Sequence, residues 1–316
     1  MYDELLDRWD LPRPRTVTAT AWGWNNETFV VSSAAGGHVL RISANAGRAE
    51  VEFEHELLLR LAATSLPFAT PLPVSSVGGG TIETFHTSRG ARPATLFRQI
   101  PGRHPVDEDI DAVAAGAEAF GHLDRVLATM ECSKPSRPMS SDLATVSPSV
   151  PTLAGIEDDV GKEAAQLIRA AARDAANLPS TPRQLIHGDF ALGNVLFEGT
   201  KVVGILDFEF SGPDRRAMEL ATALGLVLTK TMGDRLWRPV VAAYLRAFPL
   251  NADELRALPT LTRLGRAVGL LWWVGREREG RSSKTNTAER VQRLRDVEMW
   301  ISRNADDLVD AALRSS

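Results

Sequence analysis

Leu185-Ile186-His187-Gly188-Asp189-Phe190-Ala191-Leu192-Gly193-Asn194, followed by Ile205-Leu206-Asp207-Phe208-Glu209, is the stretch on which the reading of this chain turns. It sets an acid, an amide and a second acid at the ends of short apolar segments. Asp189 and Asn194 are 5 positions apart, and Asp207 follows 13 later. Gln184–His187, Val195–Phe197 and Val202–Asp207 read as strands of a hairpin region, with Glu198-Gly199-Thr200 as the turn.

A carboxylate that leaves a strand into a loop is ionised at neutral pH. It can accept a proton from a hydroxyl or aim that hydroxyl. Asn194 offers a cation a neutral oxygen and Asp207 a charged one. Magnesium takes few protein ligands of this kind and fills its other positions with phosphate and water. The set therefore fits transfer of a γ-phosphoryl group to a hydroxyl. Asp189 to Asn194 alone is also a good turn sequence. Asp-Phe at the end of the next apolar strand is what separates the two readings. His187 ends an apolar strand and reads as a prop for the loop, since no Ser or Cys nucleophile motif accompanies it. The other histidines have no zinc-binding spacing.

The 316 residues suffice for one large domain or two lobes. A hydrophobic fraction of 44% and a charged fraction of 24% describe an ordinary globular chain. The net charge of −4 and pI near 5.9 give no basic footprint for nucleic acid. The single Cys132 forms no internal disulfide, which fits a reducing compartment. Met1 to Arg8 is too acidic for a secretory signal, and apolar runs such as Leu224 to Leu228 are too short to span a bilayer. The expectation is a cytoplasmic protein with no membrane and no nucleic-acid partner.

Strands are expected at Thr28–Val31, His38–Ile42, Thr81–His86 and Thr95–Ile100, with turns at Ala34–Gly37 and Ser88–Gly90. Gly78-Gly79-Gly80 reads as a hairpin loop, being neither G-x-G-x-x-G nor a Walker motif. One helix, Glu50–Ala63, interrupts the strands, with Val51, Leu58 and Leu61 at helical spacing. After Pro101-Gly102 the pattern turns helical, with segments at Asp107–Met130 and Gly161–Asn177. A Ser- and Pro-rich loop covers 131–152, and everything beyond Asp214 reads as helix. The last helix, Arg290–Leu313, carries Leu294, Val297, Ile301 and Leu308 on one face. This predicts a β-rich lobe over 1–100 and a mainly helical lobe over 101–316. Sites commonly occupy clefts in such arrangements.

His187 to Asn194 together with Asp207-Phe208-Glu209 resembles the aminoglycoside phosphotransferase family, which includes antibiotic kinases, type II homoserine kinases and choline-kinase-like enzymes. The resemblance covers nearly the whole chain and is most specific around 185–220. It implies an α+β, protein-kinase-like two-lobe fold, with a nucleotide-binding lobe over 1–100 and a catalytic and substrate-binding lobe over 101–316. It also implies ATP and Mg2+ as cofactors and a small-molecule alcohol as acceptor. By that likeness Asp189 is the catalytic aspartate, and Asn194 and Asp207 are the metal ligands.

The likeness extends to the first hundred residues. Val39-Leu40-Arg41-Ile42 puts Arg41 where the family has a basic strand residue, most often Lys, that holds the phosphates and pairs with a helix glutamate. Arginine is bulkier and always charged, and it grips phosphate bidentately. Glu54 is the helix candidate, since it lies on the apolar face with Val51, Leu58 and Leu61, where a carboxylate wants a partner. Trp22 to Thr28 stands where a phosphate-covering loop is expected, with one glycine and two tryptophans. Leu96 to Gly102 resembles the family's hinge, so backbone groups near Arg98 and Ile100 would bind adenine. Glu219, before Leu220-Ala221, stands where the family usually has Asp. It reads either as a brace for the catalytic loop or as a helix-surface acid.

The acceptor is left open between an amino sugar and an amino alcohol such as homoserine. Glu209, Asp214 and Glu277 would attract a cation, and Arg276, Arg278 and Arg281 would suit a carboxylate. Most of these charges read as solvated surface, and Trp272-Trp273 as core. Two alternatives stand beside a small-molecule kinase. One is a pseudokinase that binds nucleotide without transfer. The other is a protein kinase, which the short Asp207–Glu219 segment disfavours because it leaves little room for an activation loop.

Overall fold

The computed structural model describes residues 2–20, 26–44, 46–87, 90–105, 109–131, 158–278, 280 and 284–316. The Trp22 to Asn25 loop and the Ser- and Pro-rich stretch from Cys132 onward lie outside the described residues. The chain divides into two compact units. The first comprises Met1–Arg103, Leu196–Glu198 and Val203–Glu209, and the second His104–Val195, Gly199–Val202 and Phe210–Ser316. Neither is a contiguous stretch, and Asp207 belongs to the first. None of the helices, among the described residues, is long and apolar enough to cross a membrane.

The first unit holds α1 (Tyr2–Leu6), β1 (Thr16–Ala19), β2 (Asn26–Ser33), β3 (Gly36–Ser43), α2 (Arg48–Ala62), β4 (Ile82–Thr87) and β5 (Gly90–Arg98). The strands form an antiparallel sheet in the order β1-β2-β3-β5-β4. Alternation along β3 gives the sheet two different faces. Leu40 and Ile42 join Phe29, Val31, Phe85 and Leu96 in a core capped by Leu5, Leu6 and Trp9. Arg41 points the other way and meets α2. The short α1 and β1 were not expected. Each has too few residues to show a period, and both depend on packing against the sheet.

The second unit holds α3 (Ile110–Leu127), α4 (Asp159–Ala176) and β6 (Arg183–Ile186). The chain then forms a hairpin of β7 (Val195–Glu198) and β8 (Lys201–Ile205), whose residues fall in both units. Back in the second unit come β9 (Gly212–Arg215), α5 (Ala217–Val227), α6 (Gly233–Ala247), α7 (Ala252–Arg278) and α8 (Lys284–Ser315). The expectation that β6 belongs with the hairpin, and that only helix follows Asp214, needs correction. β6 pairs antiparallel with β9, Leu185 opposite Pro213 and Ile186 opposite Gly212. Gly-Pro-Asp-Arg has no strand propensity of its own, and the pairing is imposed from outside.

Helix starts follow local chemistry. The Asp109 carboxylate accepts from the N–H groups of Asp111 and Ala112 at the start of α3, and Asp158 accepts from Gly161 in α4. Each such cap contributes about 1 kcal/mol. α3 packs on α6, tightly at Gly121. A Cβ there would lie 2.7 Å from the Ala247 Cβ and 2.8 Å from the Tyr244 carbonyl oxygen. At Gly269 in α7 a Cβ meets nothing within 4 Å. The same substitution should therefore have opposite signs. Gly121→Ala is expected to cost about 1–3 kcal/mol through overpacking, and Gly269→Ala to gain up to about 1 kcal/mol from helix propensity. Urea denaturation of the two variants checks this, and equal effects would contradict the tight crossing.

Candidate active site

The loop after β6 is built from below. His187 is fully buried, its ring edge-on to Phe120 of α3 at 5.1 Å, and Phe190 stacks on the same Phe120 ring at 4.0 Å. The His187 Nδ1 accepts from the Asp189 N–H at 3.3 Å, and the His187 carbonyl accepts from the Ser211 hydroxyl at 3.2 Å. His187 is thus a prop, as its position in the sequence suggests. Gly188 has φ +82, in the left-handed region. A Cβ there would come within 2.5 Å of the Phe210 carbonyl oxygen, so only glycine fits.

Asp189 and Asn194 meet. The Asn194 Nδ2 donates to the Asp189 backbone carbonyl at 2.9 Å and to its Oδ2 at 3.0 Å. Both partners only accept, which fixes the amide's orientation. The nitrogen faces Asp189, and the Oδ1 is turned away from it.

Under this loop lies a fully buried carboxylate. Glu219, in the first turn of α5, accepts from the Gly188 N–H at 2.9 Å and from the His187 N–H. Of the two readings of Glu219, the loop brace is the one the structure holds. Burial pushes its carboxyl up to about 8; the two amides oppose this, and Asp189 and Asp214 add to it. Asp124 of α3 and Tyr244 of α6 lie beside it, both fully buried, with the Tyr244 hydroxyl donating to the Asp124 Oδ2 at 2.5 Å. Burial and the Glu219 charge hold the Asp124 carboxyl well above the usual range. The sequence analysis missed Asp124 and Tyr244. Their only signal is a polar residue at a core position of an Ala-rich helix.

The first unit contains a second charged cluster. The Arg41 Nη1 and Nη2 donate to the two Glu54 oxygens at 2.8 and 2.5 Å. The guanidinium also lies 4.9 Å from the centre of the Phe97 ring. Burial opposes the Arg41 charge, but Glu54, Glu209 and Asp207 outweigh it and raise its pKa. The Arg41 Nε is buried and has no hydrogen-bond partner among the described residues. Burial and the Arg41 charge hold neighbouring His55 neutral, lowering it to about 3, and its Nδ1 meets the Thr81 hydroxyl at 2.7 Å.

Asp207 is half-buried with φ +63, a conformation that L-residues adopt at a cost. Its segment is anchored at Glu209, whose Oε2 accepts from the Asn26 Nδ2 at 2.9 Å. At the hinge, the Arg98 N–H already donates to the Leu72 carbonyl at 3.1 Å. Ile100 is half-buried, its side chain against Gly204.

The acids expected at the surface need correction. Glu209 and Asp214 are buried, Asp214 3.5 Å from Arg183, and Glu277 takes the Thr287 hydroxyl. Packing from distant strands and helices buries them, which the local pattern does not show. The side chains of Arg276, Arg278 and Arg281 lie outside the described residues. Trp273 is buried and Trp272 half-buried.

A five-stranded antiparallel unit with one long helix, a helical unit and this loop define a kinase-like phosphotransferase of small molecules. Solved structures agree on the fold. A microcompartment-associated aminopropanol kinase superposes with TM-score 0.74 at 18% identity, over 100% of this chain and 99% of that one. An amicoumacin kinase gives 0.70 at 16% identity, over 97% and 96% of the two chains. Among curated relatives, the homoserine kinase of Phenylobacterium zucineum (strain HLK1) is 29% identical over 271 residues, 82% of this chain and 79% of that protein. That of Pseudomonas aeruginosa (strain LESB58) is 27% identical over 83% and 81%. The model of the phosphotransferase enzyme family matches residues 16–258, and the chain belongs to that family.

The raised carboxyl of Glu219 has a thermodynamic consequence. Its ordinary value is 4.5 and its folded value about 8, so the folded chain binds more protons between them. The stability that protonated Glu219 contributes is complete below about pH 4.5 and is lost as pH rises through about 8. Denaturation profiles from about pH 5 to 9 should fall for the wild type and be flatter for Glu219→Gln, which keeps an acceptor oxygen without a charge. Parallel profiles would remove Glu219 from this account.

Proposed function

We propose that this chain transfers the γ-phosphoryl group of ATP to a hydroxyl of a small alcohol, an amino alcohol or an amino sugar. Asp189 orients the acceptor hydroxyl and takes its proton. Asn194 and Asp207 hold Mg2+, with phosphate and water supplying its other ligands. The fit rests on the donors: an Asn194 oxygen turned away from Asp189, and a carboxylate at Asp207. Bound metal would offset the charge that develops on the transferred group.

Arg41 steadies the phosphates, and its unpartnered Nε is a buried donor suited to a phosphate oxygen. Glu54 fixes the guanidinium. With the Arg98 amide engaged by Leu72, the adenine contact at the hinge falls to Ile100. Residues 1–100 supply most of the nucleotide site, and 101–316 the catalytic loop and acceptor site. Dependence on ATP argues for the cytoplasm as the working compartment. The observation that carries this reading is the Asn194–Asp189 pair, which aims a carboxylate and leaves an amide oxygen for a cation.

ADP release, followed in a coupled assay over homoserine, amino alcohols and amino sugars, tests it. Asp189→Ala should lower kcat by on the order of 100- to 10,000-fold with nucleotide affinity little changed. Asp207→Ala should weaken the metal dependence of nucleotide binding as well as turnover. Nucleotide binding without phosphoryl transfer to any alcohol would favour a pseudokinase instead.

A further inference from the structure

Asn26, the first residue of β2, has an amide that is used at both ends. Its Oδ1 accepts from the Ala44 N–H at 3.2 Å, just past the end of β3, and its Nδ2 donates to the Glu209 Oε2 at 2.9 Å. The first partner only donates and the second, a carboxylate, only accepts, so the amide has one orientation. Aspartate, which has the same shape, would set a second carboxylate against Glu209. Glu209 is buried, where two facing carboxylates are costly.

Strand register places this contact. Asn26 lies opposite Ser43 of β3, and Thr28 lies opposite Arg41. Residues opposite one another share a sheet face, and Phe29, Val31, Leu40 and Ile42 occupy the core face. Asn26 therefore stands on the same face as Arg41, one diagonal step away. Diagonal neighbours of this kind lie roughly 7–8 Å apart. From this one face Arg41 holds Glu54 of α2, and Asn26 holds Glu209.

Asp207 lies between two ties to the first unit. Two residues before it, the Ile205 N–H donates to the Ala69 carbonyl at 3.0 Å, and the Ala69 N–H donates in turn to the Val203 carbonyl at 2.9 Å. Two residues after it, Glu209 is held by Asn26. All of these residues belong to that unit. The φ of +63 at Asp207 is a conformation that persists in an L-residue only where its surroundings impose it.

We infer that Asn26 is a positioning residue for Asp207. It ties the segment after Asp207 to the sheet face that carries Arg41, and so fixes the Asp207 carboxylate relative to the Arg41 guanidinium. The inference rests on the reading of Asp207 as a magnesium ligand in a phosphotransferase. It gives Asn26 itself no contact with nucleotide or metal.

Binding of AMP-PNP, a non-hydrolysable ATP analogue, is measured by titration calorimetry in MgCl2 and in EDTA. Mg2+ should strengthen binding to the wild type. Asn26→Asp should weaken binding in MgCl2 by on the order of 10- to 100-fold and leave the affinity in EDTA little changed. Asn26→Ala should act in the same direction by less, since it removes the tie without adding a charge. In the Glu209→Gln background the Asn26→Asp loss should shrink to a few-fold, because a glutamine amide donates to the new carboxylate. Such coupling marks a direct contact.

Equal losses in MgCl2 and in EDTA would make Asn26 a structural residue of the sheet, and an Asn26→Asp loss unaltered by Glu209→Gln would break the link to Glu209. Either result overturns the inference. If Asn26→Asp does not fold, Asn26→Ala and the double variant decide by the same comparison of MgCl2 with EDTA. A wild type whose affinity ignores Mg2+ overturns the reading of Asp207 and takes the inference with it. A wild-type metal response that Asn26→Asp keeps overturns the inference alone. Failure to phosphorylate any alcohol counts against the phosphotransferase reading only, since the calorimetry needs no acceptor.

Discussion

A buried carboxylate beneath two backbone amides holds the loop that carries Asp189. Glu219 accepts from the N–H groups of Gly188 and His187, and everything the loop presents depends on that contact. A loop between a four-residue strand and a turn has few ladder hydrogen bonds of its own. Here its backbone is set by a side chain from α5, and its flanks by Phe120 of α3, which packs both His187 and Phe190. The left-handed Gly188 is the conformational cost of turning both amides toward one acceptor. The electrostatic cost is larger, since Glu219 shares its surroundings with Asp124, Asp189 and Asp214. A raised carboxyl that keeps its proton is how such a cluster avoids burying several negative charges at once.

The first unit solves a similar problem with the opposite device. Arg41 stands on the sheet face away from Leu40 and Ile42, and Glu54 comes from the apolar side of α2. Neither charge would be stable there alone, and the fork-to-fork geometry makes the pair tolerable. Such a pair adds little net stability, because desolvation offsets most of the attraction. Its effect is positional. It fixes a guanidinium whose Nε has no partner among the described residues. Asp207 and Glu209, within reach of that charge, are steadied in turn by it and by Asn26.

Parts of this arrangement were legible in the sequence for specific reasons. Asp189, Asn194 and Asp207 stand out because their types and spacing are rare and their flanks are apolar. Glu54 stands out because its helix has a clear period, with Val51, Leu58 and Leu61 beside it. The strands of the first sheet other than β1 follow from their apolar runs and the turns between them. What was missed depends on contacts distant in sequence. β9 forms only because β6 lies beside it. Asp124 looks like one polar residue of an Ala-rich helix until α6 covers it and Tyr244 binds it. Glu209 and Asp214 look solvated because a local pattern carries no record of what packs over it. Gly225 left a trace, a glycine inside a helix, but its meaning is the Arg266 stem that fills the space.

Net charge says little about any of this. The chain carries −4 overall, yet its acids and bases are sorted by neighbourhood. Carboxylates concentrate beneath the Asp189 loop, where amides and retained protons hold them. Arginines serve two roles that their pairing separates. Arg41, Arg216 and Arg263 each face a carboxylate and fix structure. Arg266 and Arg290 have no carboxylate in hydrogen-bond contact among the described residues, and burial lowers the pKa of both. A guanidinium taken out of water without such a partner carries a desolvation cost that an ion pair would otherwise offset.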